Sequence, residues 1–274
     1  MIVLSDHEFK QIADYVKQYF GVNLSRKRTL IEGRLGFYIT SKGYTSYQDY
    51  LDYAINDSSK KELANMISRL TTNHTYFMRE QDHFEFYRDH VLPWIEHELD
   101  SKDLWVWSAG CSSGQEPYTL SIFTLEYTSG QLGWDTSILA SDVADEALMV
   151  AKRGIYPKEE LSKLSEVISD SHFKKYFSKV DDETYKVTDL LRSNVSFINF
   201  NLLAPYNFKK QLHVIFCRNV MIYFDTDTKT EIINKMYDCL LPGGYLFIGH
   251  SESLSTLKHN FKYIMPSIYR KPLD

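Results

Sequence analysis

The run Ser108-Ala109-Gly110-Cys111-Ser112-Ser113-Gly114-Gln115-Glu116-Pro117-Tyr118 sets two glycines four residues apart, then an acid and a proline. Glycine lets a backbone approach a ligand closely, and proline suits the first turn of a helix. The segment therefore reads as a ligand-binding turn between a strand and a helix. It is not a dinucleotide turn, because Ser112 and Gln115 occupy the later glycine positions of G-x-G-x-x-G. Nor is it a phosphate loop, because no Lys-Ser or Lys-Thr follows. Glu116 stands at the helix start, where a pyrophosphate would have to sit.

An acid in that position suits a cationic nucleoside without phosphate. S-adenosylmethionine, with a sulfonium and an ammonium, is such a ligand. Asp142 ends the next apolar run, 28 residues beyond Gly114. An acid there can accept bonds from both ribose hydroxyls, and it can equally cap the helix that follows. Asn201-Leu202 and Cys217-Arg218-Asn219 close two later runs and bring amides and a cation to the same end of a sheet. Thr72-Asn73-His74-Thr75-Tyr76-Phe77-Met78-Arg79-Glu80 is too rich in polar chemistry for a plain linker. His74 and His250 do not make a hydrolase triad with Ser112, which lies outside any G-x-S-x-G elbow.

These residues need a scaffold, and the hydrophobic pattern supplies one. Leu104–Ala109, Ser137–Ser141, Val195–Phe200, His213–Cys217 and Tyr245–Gly249 are apolar runs of strand length. Helical stretches fall between several of them, around Tyr118–Glu126, Glu146–Arg153 and Thr228–Leu240, which predicts a parallel α/β sheet. Phe261–Met265 and Ile268–Lys271, separated by Pro266-Ser267, predict a closing hairpin. Residues 155–194 break the rhythm and read as an insertion with a short charged strand pair around Asp181–Thr184. Residues 1–70 carry helical spacing instead, with Phe9, Ile12, Val16 and Phe20 on one stripe and a second helix through Arg28–Leu35. The expected division is a helical domain over 1–70, a joint over 71–90 that contributes to the site, and the sheet domain over 91–274.

The 274 residues are 43% hydrophobic and 24% charged, enough apolar side chain for a sizeable core, so fibrous and disordered classes are excluded. The formal net charge of −5 disfavours nucleic acid held by whole-molecule electrostatics. Charge is uneven: ten basic against eight acidic side chains in residues 1–70, and 21 against 28 in the rest. The basic residues concentrate at Arg26, Lys27, Arg28 and Arg34. On a helix, Lys27 and Arg34 share a stripe, either as a solvated face or as a surface for an acidic partner. Cys111, Cys217 and Cys239 form neither a disulfide framework nor a zinc pattern, so no metal is expected. With no basic leader before an apolar stretch and no apolar run of membrane length, a cytoplasmic protein is expected.

Taken together, Thr72–Glu80, Trp107–Thr119, Asn201-Leu202-Leu203, Phe216–Asp225 and Gly249-His250-Ser251-Glu252 resemble the chemotaxis receptor methyltransferases, the CheR family, in order and over nearly the whole chain. Gln115 and Met78 depart from the family's usual Glu and Phe. The resemblance implies a Rossmann-like class I S-adenosylmethionine-dependent methyltransferase sheet with a C-terminal antiparallel hairpin and a small inserted β-subdomain, preceded by a small all-α domain. It implies a monomeric protein-glutamate O-methyltransferase that esterifies glutamates on the cytoplasmic helices of methyl-accepting chemotaxis receptors and releases S-adenosylhomocysteine, with no metal, nucleic acid or membrane insertion. Asn73, Thr75, Arg79, Gly110, Glu116, Asp142, Asn201, Leu202, Arg218 and Asn219 would form the cofactor shell. Arg79 and Tyr223 would lie nearest the transferred methyl. Arg26, Lys27, Arg28 and Arg34 would face the receptor. A non-catalytic sensor of S-adenosylmethionine, or a methyltransferase for another protein carboxylate, would share most of this shell. An amino-methylating nucleic-acid enzyme would show an Asn/Asp-Pro-Pro-aromatic motif, and Arg218-Asn219-Val220-Met221 stands in its place.

Overall fold

Ser5 starts the first helix by a reciprocal cap. Its hydroxyl accepts the Glu8 N–H at 3.2 Å, and the Glu8 carboxylate accepts the Ser5 N–H at 2.9 Å. The structure is a computed structural model that describes residues 2–99 and 102–273. Helices α1 (Asp6–Phe20), α2 (Arg28–Ser41), α3 (Tyr47–Asn56) and α4 (Lys61–Leu70) bury Ile12, Val16, Ile31, Leu35, Tyr50 and Ile67 in one cluster. Gly21, at φ +72°, ends α1 in the left-handed region; a Cβ there would come within 2.8 Å of Thr228. Beyond the joint, α5 (Gln81–Phe86) passes through a π turn (Tyr87–Val91) into α6 (Leu92–His97). The widening precedes Pro93, which has no N–H to continue the α ladder.

The sheet runs β1 (Asp103–Ala109), β2 (Asp135–Asp142), β6 (Val195–Asn199), β7 (Leu212–Cys217) and β8 (Leu240–Ile248), all mutually parallel where they pair. Helix α7 (Gln115–Tyr127) follows β1 and α8 (Asp145–Arg153) follows β2. The insertion carries β3 (Ile155–Pro157), α9 (Ser162–Val167), α10 (Asp170–Tyr176), β4 (Phe177–Lys179), β5 (Thr184–Val187) and α11 (Asp189–Ser193). Its strands form a separate antiparallel sheet, β3-β5-β4. The expected charged pair is β4 and β5; the third strand, β3, is too short for periodicity to reveal. Helix α12 (Thr226–Cys239) joins β7 to β8, and the closing hairpin is β9 (Lys262–Met265) with β10 (Ile268–Arg270).

Strand order in the main sheet is β6-β2-β1-β7-β8-β10-β9, with β10 antiparallel to β8. Near-continuous apolar strands are needed because both faces are covered. Along β7, Val214 and Phe216 enter the core beneath α5 to α7, whereas Ile215 and Cys217 enter the core beneath α12. Phe216 and Phe247 stack at 4.2 Å across adjacent strands. The chain winds outward from β1 to β6 and then returns to β7 on the other side. The order therefore reverses between β1 and β7, and a ligand crevice is expected beyond their carboxyl ends.

Candidate active site

At that reversal lies a cavity of about 460 Å³, within the usual range for small-molecule sites. Its lining includes Asn73, Thr75, Arg79, Gly110, Glu116, Asp142, Asn201, Leu202, Arg218, Asn219 and Tyr223, so the residues expected around the cofactor and the methyl meet in one place. Arg26, Lys27, Arg28 and Arg34 are outside it.

The turn after β1 is shaped by its own protein neighbours. Gly110 has φ +85°, and a Cβ there would approach Val220 to 2.3 Å; at Gly114, φ +95°, it would meet Ala151 at 2.8 Å. Both glycines thus serve close packing of the turn on the β7 loop and α8. Ser112, between them, holds φ +49° and donates its hydroxyl to the Asn73 carbonyl at 2.9 Å, tying the turn to the joint. Asn219 also has positive φ, so two of the six such non-glycine residues among those described line the cavity, and two more, Met78 and Glu80, flank its Arg79 in the chain. Such backbone costs free energy and collects at functional sites.

The polar groups form a connected network. Arg218, 2% exposed at its side chain, donates to Glu116 at 3.0 Å and to Glu80 at 3.0 and 3.3 Å, and also to the Arg79 carbonyl. Ser108 donates to the other Glu116 oxygen at 2.7 Å. Burial pushes the Glu116 carboxyl above its ordinary value, and Arg218 and Ser108 only partly offset this. At Glu80 burial pushes the same way and is the largest single influence, but the Arg218 charge and hydrogen bond, together with His250, outweigh it and hold the carboxyl low. Burial also raises Asp142, against the N–H groups of Ala144 and Ser112 that it accepts at 2.9 and 2.8 Å. Asp142 does not supply a side-chain cap to α8, whose N-cap residue is Ala144. Glu252 accepts the N–H groups of Gly249 at 2.6 Å and Asn219 at 2.9 Å, fastening the β8 loop to the β7 loop.

Several expected contacts are already engaged within the protein. The Asn201 amide donates to the Tyr19 carbonyl at 2.6 Å and accepts the Leu203 N–H at 2.9 Å. The Tyr223 hydroxyl donates to the Thr72 carbonyl and accepts the Thr72 N–H, at 3.1 and 3.0 Å. Arg28 is bonded to Asp6 at 2.5 Å, to Glu32 at 3.1 Å and to the Leu4 carbonyl. Arg34 caps the carbonyls of Arg69 at 3.1 Å and Thr71 at 2.6 Å and reaches the Thr72 hydroxyl at 2.9 Å. Of that basic group, Arg26 and Lys27 are the fully exposed pair. Glu80, Ser108 and Glu252 belong to the hydrogen-bonded network, and sequence reasoning left them without a role. Glu80 and Glu252 stood in the segments that carry the resemblance, but Arg218 lies 138 residues from Glu80 and Asn219 lies 33 from Glu252.

The cavity fits a cationic nucleoside. Two carboxylates, Glu116 and Asp142, line it. Asp142 keeps acceptor capacity beyond the two N–H groups it holds, because a carboxylate offers about four lone-pair sites. A sheet reversing at a glycine turn, with this acidic lining and an all-α domain closing one side, defines the class: an S-adenosylmethionine-dependent methyltransferase. Residues 73–269 match the family model described as CheR methyltransferase, SAM binding domain, and residues 7–71 the model described as CheR methyltransferase, all-alpha domain. The chain is 36% identical to a chemotaxis protein methyltransferase of Borreliella burgdorferi, covering 98% of this chain and 96% of that one. It is 35% identical to the chemotaxis protein methyltransferase of Escherichia coli, covering 100% and 93%. The chain belongs to the CheR methyltransferase family.

Proposed function

We propose that this protein transfers the methyl group of S-adenosylmethionine to glutamate carboxylates on the cytoplasmic helices of methyl-accepting chemotaxis receptors, giving 5-O-methyl esters and S-adenosylhomocysteine. The observation that carries the proposal is the pairing, in one cavity, of acids suited to a cationic donor with Arg79. The Arg79 guanidinium makes no ion pair among the described residues; it donates to the His74 carbonyl, and its remaining N–H groups would hold an anionic acceptor.

When bound, the donor supplies an electrophilic methyl. Asp142 would accept its ribose hydroxyls, Glu116 would face its positive charge, and Asn73, Thr75, Gly110, Asn201, Leu202 and Asn219 would enclose it. Arg218 favours the ionised form of Glu116 and holds the carboxylate in place. A glutamate acceptor has an ordinary pKa of about 4.3 and is already ionised at neutral pH, so the chain needs no general base. Its remaining work is alignment and exclusion of water, effects that can supply roughly 7 to 11 kcal/mol. Arg79 would orient the acceptor, and Tyr223, by bonding Thr72, holds the joint that carries Asn73 and Arg79. Arg26 and Lys27 would meet the acidic receptor surface from the turn before α2, a helix that Arg28 and Arg34 anchor. Its work would be done in the cytoplasm, as a monomer.

The test is incubation with methyl-labelled S-adenosylmethionine and membranes carrying such a receptor, followed by alkali. Release of labelled methanol is expected of a carboxylate ester. Label that survives alkali would mean another acceptor, and binding without any transfer would mean a sensor.

A further inference from the structure

Two cations approach the Tyr76 ring. The Lys163 ammonium, carried by α9 of the insertion, lies 4.7 Å from the centre of the ring, and the Arg79 guanidinium lies 5.9 Å from it. Neither cation has a carboxylate within ion-pair distance among the described residues. The nearest acids along the insertion are Glu159, Glu160 and Glu166, and Glu160 is bonded to Gln115 at 2.8 Å. Arg79 instead donates to the His74 carbonyl at 2.6 Å, and the His74 ring packs 5.7 Å from Tyr76. Two like charges held beside one ring repel each other unless an anion comes between or beside them.

Position narrows what that anion is. Arg79 and His74 line the cavity, whereas Tyr76 and Lys163 are outside its lining. Lys163 is solvent-exposed. An anion at Lys163 therefore sits outside the cavity lining, on the solvent side and beside the Tyr76 ring that Arg79 approaches from the cavity. We infer that Lys163 and Tyr76, continuing from Arg79, form a rim subsite for an acidic side chain of the acceptor segment, flanking the glutamate that is methylated. The inference rests on the function proposed above and adds a determinant of which glutamates are chosen. On a helical acceptor, residues three or four away share the face of the methylated position, so an acid there would reach Lys163 as the acceptor reaches Arg79. A flanking acid that is amidated loses its charge and with it the contact.

The experiment uses the full chain, methyl-labelled S-adenosylmethionine and membranes carrying a methyl-accepting receptor. A second receptor has the acids three and four residues from each methylated glutamate changed to amides. Lys163→Ala should raise the receptor KM about two- to fivefold, and Lys163→Glu should raise it further. Both should leave kcat and S-adenosylmethionine affinity unchanged, and Lys163→Arg should restore the KM. The amidated receptor should have a raised KM with the parent protein but not with Lys163→Ala. An unchanged KM, a matching loss of donor affinity, or equal discrimination by parent and variant would overturn the inference. Failure of the parent protein itself to deposit alkali-labile methyl on either receptor would instead remove the function on which it rests.

Discussion

Asp142 reaches back to the turn after β1 and accepts the backbone N–H of Ser112 at 2.8 Å through one carboxylate oxygen. Its other oxygen holds Ala144 at 2.9 Å. One side chain thus fixes the glycine turn against the start of α8 while still lining the cavity. Replacement by Ala should weaken S-adenosylmethionine binding roughly ten- to a hundredfold, the range for hydrogen bonds to a charged group. Calorimetric titration checks this, and unchanged affinity would remove Asp142 from the nucleoside site.

The same carboxyl and that of Glu116 are raised above their ordinary values by burial. A cationic ligand favours their ionised forms, so binding is strongest above their titration and weakens as pH falls through it. Affinity for S-adenosylmethionine should begin to decline at a pH above the usual carboxylate range. Titrations in buffers of different ionisation enthalpy would detect the accompanying proton release; an affinity flat down to pH 4 would contradict it.

Arg218 depends on two acids from distant parts of the chain. Glu80→Ala would leave its buried guanidinium short of a partner, which costs about 3 to 5 kcal/mol when a buried pair is broken from one side. Urea denaturation should show a lower midpoint for Glu80→Ala and a smaller loss for Glu80→Gln. Parent-like stability in both would mean that water replaces Glu80.

His213 is buried, and its Nδ1 accepts the Trp105 N–H at 3.1 Å, which requires the neutral ring. Burial lowers its pKa to about 4. The unfolded chain takes up that proton near pH 6.5, so stability is complete above 6.5 and is lost progressively toward pH 4. His83, lowered to about 3 by burial, acts in the same direction. The denaturation midpoint should fall between pH 7 and 5, and less steeply in His213→Asn. Identical slopes would show that His213 contributes nothing to the acid sensitivity.

Charge on α2 and the turn before it divides into two kinds. Arg34→Ala removes the partner of two carbonyls and should cost about 1 to 3 kcal/mol. Reversal of Arg26 and Lys27 together should leave stability within roughly 0.5 kcal/mol and raise the receptor KM. The opposite pattern would make Arg34 the receptor contact and the exposed pair structural.

The sheet was legible in the sequence because parallel strands buried on both faces must be nearly continuous apolar runs, as Val214–Cys217 is within β7. The cavity residues were legible because polar groups directly after such runs converge at the switch point. Glu80 was not: it precedes Arg218 by 138 residues, and the packing of α5 on β7, with Phe84 stacked on Phe216, is what brings them together. Arg26, Lys27, Arg28 and Arg34 read as one basic group, with Lys27 and Arg34 on a stripe, because helical spacing specifies direction but not the partners of Arg28 and Arg34. Asp6, Glu32 and the carbonyls of Arg69 and Thr71 take up those charges.

Competition calorimetry asks directly whether the cavity is built for a positively charged adenosine without phosphate. S-adenosylmethionine and S-adenosylhomocysteine should each bind at one site per chain, and NAD, even in large excess, should displace neither. Tighter binding of NAD, or displacement of S-adenosylmethionine by it, would contradict the assignment of Asp142 and Glu116 to a cationic donor.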